Sequence, residues 1–185
     1  MALQKIVFLV SLMMFTIMCV LPAAIATGGG ILVIPPVFAQ GQVTCLGETA
    51  TIVGTSGDDN LVGTDSRDVI AGLEGNDRIE GRGGNDLICG DDGNDTMFGG
   101  EGNDRMSGGE GADTMNGDAG DDRMSGGTGA DTMNGGDGDD DMSGGTNNDN
   151  LNSVDGVVNN DDLDGGTGTD TCISDPDPED DCERN

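Results

Sequence analysis

Glycine recurs at every ninth position from Gly54, and an aspartate follows each of these glycines five residues later, so the chain is committed to a structure that repeats itself every nine residues. The units read GTSGDDNLV, GTDSRDVIA, GLEGNDRIE, GRGGNDLIC, GDDGNDTMF, GGEGNDRMS, GGEGADTMN, GDAGDDRMS, GGTGADTMN, GGDGDDDMS and GGTNNDNLN, eleven without a gap, ending at Asn152. A three-residue insertion, Ser153 to Asp155, precedes two divergent units, GVVNNDDLD from Gly156 and GGTGTDTCI from Gly165. Position eight is apolar throughout: Leu61, Ile70, Ile79, Ile88, Met97, Met106, Met115, Met124, Met133, Met142, Leu151, Leu163 and finally Cys172. A longer period lies on top, because Met106 to Arg123 is nearly repeated by Met124 to Asp141, so eighteen residues make one structural turn.

One inward side chain in nine cannot fill an ordinary globular core, and a chain of 185 residues that is 34% hydrophobic and 2% aromatic has little else to bury. Each unit instead divides into a six-residue loop of Gly, Asn and Asp, residues that tolerate left-handed backbone, and a three-residue strand whose middle side chain faces inward. Ser66, Asn147 and Asn159 stand at position four where Gly is usual. Asn enters the left-handed region readily and Ser does so less well.

Thirty-six acidic residues against seven Lys and Arg, with no His, give a formal charge of -29. Such a composition alone describes a disordered polyanion that binds cations diffusely, and only the strict register argues for a fold. Repulsion at this density resists compaction, so a folded state calls for a polyvalent counter-ion, and carboxylates are hard ligands suited to calcium or magnesium. Nucleic acid is a poor partner for this surface. No enzymatic activity is expected either, since no nucleophile has a base beside it and the acids belong to the repeating scaffold.

These units resemble the glycine- and aspartate-rich nonapeptide of RTX (hemolysin-type) calcium-binding repeats, G-G-x-G-x-D-x-U-x, over Gly54 to Ile173. The resemblance implies an all-β fold, a parallel β-roll or right-handed β-solenoid with two repeats per turn. It further implies calcium between the loops of units n and n+2, held by loop carbonyls and by the carboxylates of Asp59, Asp68, Asp77, Asp86, Asp95, Asp104, Asp113, Asp122, Asp131, Asp140 and Asp149. Eleven continuous units make nine such pairs, so about nine calcium ions are expected. The insertion is expected to break the register, leaving Asp161 and Asp170 to a cap. Met97 to Met142 are expected as core filler rather than copper ligands.

Residues 1–39 are of another kind, with Lys5, an apolar run from Ile6 to Leu21 and a second apolar patch from Ile31 to Ala39. They read as an export signal, cut after Ala26 or, by preference, after Ala39. Membrane attachment would follow only from retention of this segment. Cleavage would remove Lys5 and leave six Arg against 36 acids, a charge of -30.

Residues 40–53 are expected as a cap strand over the open end of the roll, followed by the repeats at 54–152, the insertion and divergent units at 153–173, and an acidic tail at 174–185. Cys45, Cys89, Cys172 and Cys182 survive processing as an even set in an oxidising compartment, without the spacing of a zinc site. Cys172 with Cys182 would close a hook around ISDPDPEDD. Cys45 with Cys89 follows by elimination, which requires the cap to cross the roll.

The repeats occupy nearly the whole mature chain, so the expected function is a secreted or cell-surface calcium-binding module, structural or matrix-associated, that folds on binding the ion. A cell-surface or extracellular-matrix partner is the expected kind, unidentified by the sequence. The competing readings are the disordered polyanion and an ice- or mineral-binding roll; the irregular residues at positions three and five speak against the latter. An N-terminal signal departs from the C-terminal export signal usual in RTX proteins, and points to Sec-type export.

Overall fold

The computed structural model describes residues 42–156 and 161–174. The leader with both cleavage points, Asn159, Cys182 and the end of the acidic tail lie outside the described residues.

The described residues form sixteen strands and no helix. A short hairpin, β1 (Thr44–Cys45) and β2 (Glu48–Thr49), is followed by β3 (Ile52–Val53) and β4 (Asn60–Val62), which open the roll. Its body comprises β5 (Val69–Glu74), β6 (Arg78–Gly83), β7 (Leu87–Asp92), β8 (Thr96–Glu101), β9 (Arg105–Glu110), β10 (Thr114–Ala119), β11 (Arg123–Thr128), β12 (Thr132–Asp137) and β13 (Asp141–Thr146). The last strands are β14 (Asn150–Asn152), β15 (Asp162–Asp164) and β16 (Thr171–Ile173).

Odd strands from β3 to β15 make one seven-stranded parallel sheet and even strands from β4 to β16 make the other, so the chain switches sheets at every repeat and winds through about seven turns. Pairing is between residues 18 apart, as in Met97 to Met115 to Met133. The expected parallel β-roll with two units per turn is therefore the observed fold.

The roll's interior is the position-eight ladder. Ile70, Ile79, Ile88, the six methionines from Met97 to Met142, Leu151 and Leu163 are at most 2% exposed and pack as one cluster between the sheets. Parallel, in-register stacking places each residue on its own counterpart one turn away, so a single apolar position per unit becomes a continuous stripe.

Three sequence expectations are corrected. The central strands are six residues long, covering positions seven to nine and one to three of the next unit, and only positions four to six form the corner. Backbone pairing continues through most of the anticipated loop because stacked loops satisfy one another: the Gly111 amide donates to the Thr128 carbonyl at 2.8 Å, and the Thr114 amide to the Asp95 carbonyl at 2.8 Å. Nor does the insertion break the register. β13 pairs with β15 (Met142 with Leu163) and β14 with β16 (Leu151 with Cys172), so the pairing interval lengthens from 18 to 21 and the extra residues are absorbed in the connection before β15.

The third correction concerns the cap. Only Ile52 and Val53 extend the roll itself, pairing with Ile70 and Ala71. The β1–β2 hairpin lies on the outer face of the odd-strand sheet, where Cys45 packs with Val69, Ala71, Leu87 and Cys89 in a second apolar cluster. Those partners occupy positions seven and nine, whose side chains point away from the position-eight core. Cys45 and Cys89 form a disulfide with Cα atoms 5.6 Å apart. The cap thus crosses the roll, as that pairing requires, and an 18-residue period is no obstacle because the hairpin is outside the coil. Cys172 is also disulfide-bonded.

Candidate metal centre

The position-six aspartates end the three-residue corners, and the stacking of corners aligns them in two columns, one on each edge of the roll. In each column the amide of one aspartate donates to Oδ1 of the aspartate one turn later, at 2.7–2.9 Å. The columns continue across the insertion, with the Asp140 amide on Asp161 Oδ1 and the Asp149 amide on Asp170 Oδ1, both at 2.9 Å. Asp161 and Asp170 therefore belong to the ladder and not to a separate cap.

One carboxylate oxygen is thereby accounted for and the other is not. Oδ2 of Asp77, Asp86, Asp95, Asp104, Asp113, Asp122, Asp131, Asp140 and Asp149 is buried and has no hydrogen-bond partner. Nine partnerless acceptors at one repeated position are not accidents of packing, since a buried polar group left unpaired costs about 1–3 kcal/mol, and more when charged.

The glycine at position one explains the access to these oxygens. A Cβ on Gly99 would lie 2.4 Å from Asp104 Oδ2 and 2.7 Å from the Gly117 carbonyl oxygen of the next turn, and the same pair of oxygens flanks each position-one glycine from Gly72 to Gly126 and again at Gly144. A side chain here would collide with both, so only glycine lets the carboxylate and the carbonyl of the adjacent coil converge. Position two has positive φ in every unit from Leu73 (85°) to Gly145 (103°), including the non-glycine residues Arg82, Asp91 and Asp118. Strained backbone at a repeated site is retained where the surrounding structure demands that orientation. Asn147 at position four takes φ of 85°, as expected of Asn, whereas Ser66 does not take a positive φ.

Burial raises the carboxyls of all nine residues above the ordinary 3.8, with neighbouring carboxylates of the column adding to the effect and the amide from the preceding turn opposing it. Asp104 and Asp122 are pushed up to about 7, and Asp113 and Asp140 to about 6. Two columns of desolvated carboxylates, opposed by a cationic side chain only in the minor influence of Arg67 on Asp86, present oxygen donors alone, the set that suits a hard divalent cation.

Asp59 and Asp68, expected as ligands with the other nine, are held differently. Asp59 Oδ2 accepts from the Thr55 amide at 2.6 Å and the Thr55 hydroxyl at 2.9 Å. Asp68 Oδ2 accepts from the Thr64 amide at 2.7 Å and the Thr64 hydroxyl at 2.9 Å. These two threonines escaped the sequence reading, although the signal was present: position two is Thr in the first two units and in no other.

The family model of the RTX calcium-binding nonapeptide repeat, four copies long, matches residues 53–88, 90–124 and 116–151, more than half of the chain. No curated protein shows a significant match. Repeats of this family are structural elements that bind calcium, and the oxygen-lined columns are a fitting donor set for that ion. The chain belongs to the RTX calcium-binding nonapeptide repeat family.

Proposed function

We propose that this protein is an exported structural module whose roll is completed by calcium, with Asp77, Asp86, Asp95, Asp104, Asp113, Asp122, Asp131, Asp140 and Asp149 as the side-chain ligands and position-one carbonyls of the adjacent turn as co-ligands. The observation that carries this reading is the set of nine buried, partnerless Oδ2 atoms, which implies about nine ions. Calcium would supply positive charge and coordination to oxygens that nothing among the described residues satisfies.

Without the ion, carboxylates crowd along both edges while each unit buries a single core side chain, so the metal-free roll stands at or beyond the limit of stability. Ion binding is then part of the folding free energy. Extracellular calcium modules bind at roughly 0.1–1 mM, which keeps such a chain unfolded in a calcium-poor cell and folds it after export. The signal-like residues 1–39 and the Cys45–Cys89 disulfide support an oxidising destination. A surface or matrix role is the reading that suits a run of scaffold repeats extending from Gly54 to Ile173.

The test is a calcium titration of the chain from Gln40 onward, followed by far-UV circular dichroism with magnesium as control. A cooperative, calcium-selective gain of strand signal is expected. Full strand signal in chelator, or equal response to magnesium, would overturn the reading.

A further inference from the structure

The roll has two kinds of turn, and the difference coincides with a sequence boundary. In units three to eleven position two has positive φ and the aspartate Oδ2 lacks a partner. In units one and two position two is Thr without positive φ, and Oδ2 receives two hydrogen bonds from that same residue. One hydroxyl and one amide thus meet the demand that is left open in every later unit of the uninterrupted series.

We propose that the first turn is a metal-independent clamp, in which Thr55 and Thr64 take the place of calcium on Asp59 and Asp68, and that calcium-dependent order begins at the third unit. This rests on the reading of the nine partnerless carboxylates as calcium ligands. An amide and a hydroxyl proton aimed at Oδ2 occupy the acceptor that a cation would need. The negative-φ backbone at position two also removes the loop conformation that accompanies the open oxygens.

The N-terminal end carries further contacts that involve no ion and that tie the first turn to the units after it. The hairpin is joined to β7 by the Cys45–Cys89 disulfide, its apolar face covers Val69, Ala71 and Leu87, and Arg67 of unit two pairs with Glu48 at 2.8 Å. The core here is Ile70, Ile79 and Ile88, β-branched residues that suit strands better than the flexible methionines beyond. The clamp therefore provides a fixed first turn on which the calcium-dependent turns stack, and it is the last part to lose order when calcium is withdrawn.

Two measurements on the oxidised chain from Gln40 test this. Bound calcium is counted at saturating calcium chloride for wild type, Asp59→Asn, Asp68→Asn and Asp104→Asn. The first two variants should bind as many ions as wild type and the third fewer; loss of an ion from Asp68→Asn equal to that from Asp104→Asn overturns the clamp. Absence of calcium binding by wild type would instead defeat the calcium reading itself.

Hydrogen exchange during stepwise chelation supplies the second readout. The amides of Gly54, Thr55 and Thr64, whose acceptors lie within the first two units, should stay protected at calcium levels where those of Thr114 and Arg123 exchange. Replacing Thr55 and Thr64 together by Val should reduce that protection about ten- to hundredfold, the scale of a hydrogen bond to a charged group. Simultaneous loss of protection at both ends in wild type overturns the proposal.

Discussion

Asp104→Asn should change stability in opposite directions with and without calcium. The substitution keeps the volume of the side chain and the Oδ1 acceptor that the Asp86 amide uses at 2.7 Å, and it removes the charge from a residue only 1% exposed. The carboxyl is raised by burial from 3.8 to about 7. About three pH units at 1.36 kcal/mol each put the cost of keeping it ionised in the metal-free roll at pH 8 on the order of 4 kcal/mol. The new amide NH2 lies near the Gly117 carbonyl, which competes with Asp104 Oδ2 for the space over Gly99. If that NH2 stays unpaired it costs about 1–3 kcal/mol, so the net gain in chelator is about 1–3 kcal/mol by these terms.

In calcium the same change would remove a proposed charged ligand, and at saturation each tenfold loss of affinity at one site lowers stability by about 1.4 kcal/mol. Urea unfolding followed by circular dichroism measures both arms, with trimethylamine N-oxide in the chelator arm to bring the metal-free roll into a measurable range. A shift of the same sign in both media, or no loss in calcium, would refute the assignment of Oδ2 as a metal-facing oxygen.

Gly108→Ala places a Cβ 2.2 Å from Asp113 Oδ2 and 2.6 Å from the Gly126 carbonyl, and should cost about 1–3 kcal/mol together with a weaker calcium response. Gly57→Ala, with nothing within 4 Å of the new atom, should stay within about 0.5 kcal/mol of wild type in the same thermal melts. Met124→Ala opens a cavity in the ladder and should cost about 2–5 kcal/mol in calcium, against less than about 1.5 kcal/mol for Met124→Leu.

Acidification should order the metal-free chain. The folded-state carboxyls of Asp104, Asp122, Asp113 and Asp140 lie at about 6–7, above the 3.8 of the unfolded chain, so their contribution is fully present below about pH 4 and lost as pH rises through 6–7. Circular dichroism in chelator from pH 8 to pH 5 should show strand signal appearing, and the calcium concentration for half-folding should fall over the same range, since protons on the raised carboxyls and calcium both favour the folded roll.

The nine-residue period by itself determined the roll, its two-unit turn, the inward stripe at position eight and the alignment of aspartates, because identical units stacked in register must superpose like on like. Sequence also carried the left-handed tolerance of Asn147 and the Cys45–Cys89 pair. Only the tertiary structure decided where each oxygen of a carboxylate goes. The spacing of Asp104 and Asp122 does not distinguish an oxygen taken by a neighbouring amide from one left open, and that distinction separates Asp59 and Asp68 from the aspartates that follow. Position-one glycine read locally as a loop residue, yet its requirement comes from the coil above it, as at Gly99 beneath the Gly117 carbonyl. The hairpin's place on the outer face was settled by Val69, Ala71 and Leu87, apolar residues at positions that are polar in most later units. Contacts between turns are long-range, and a repeat unit records them only as a restriction on which side chains it can carry.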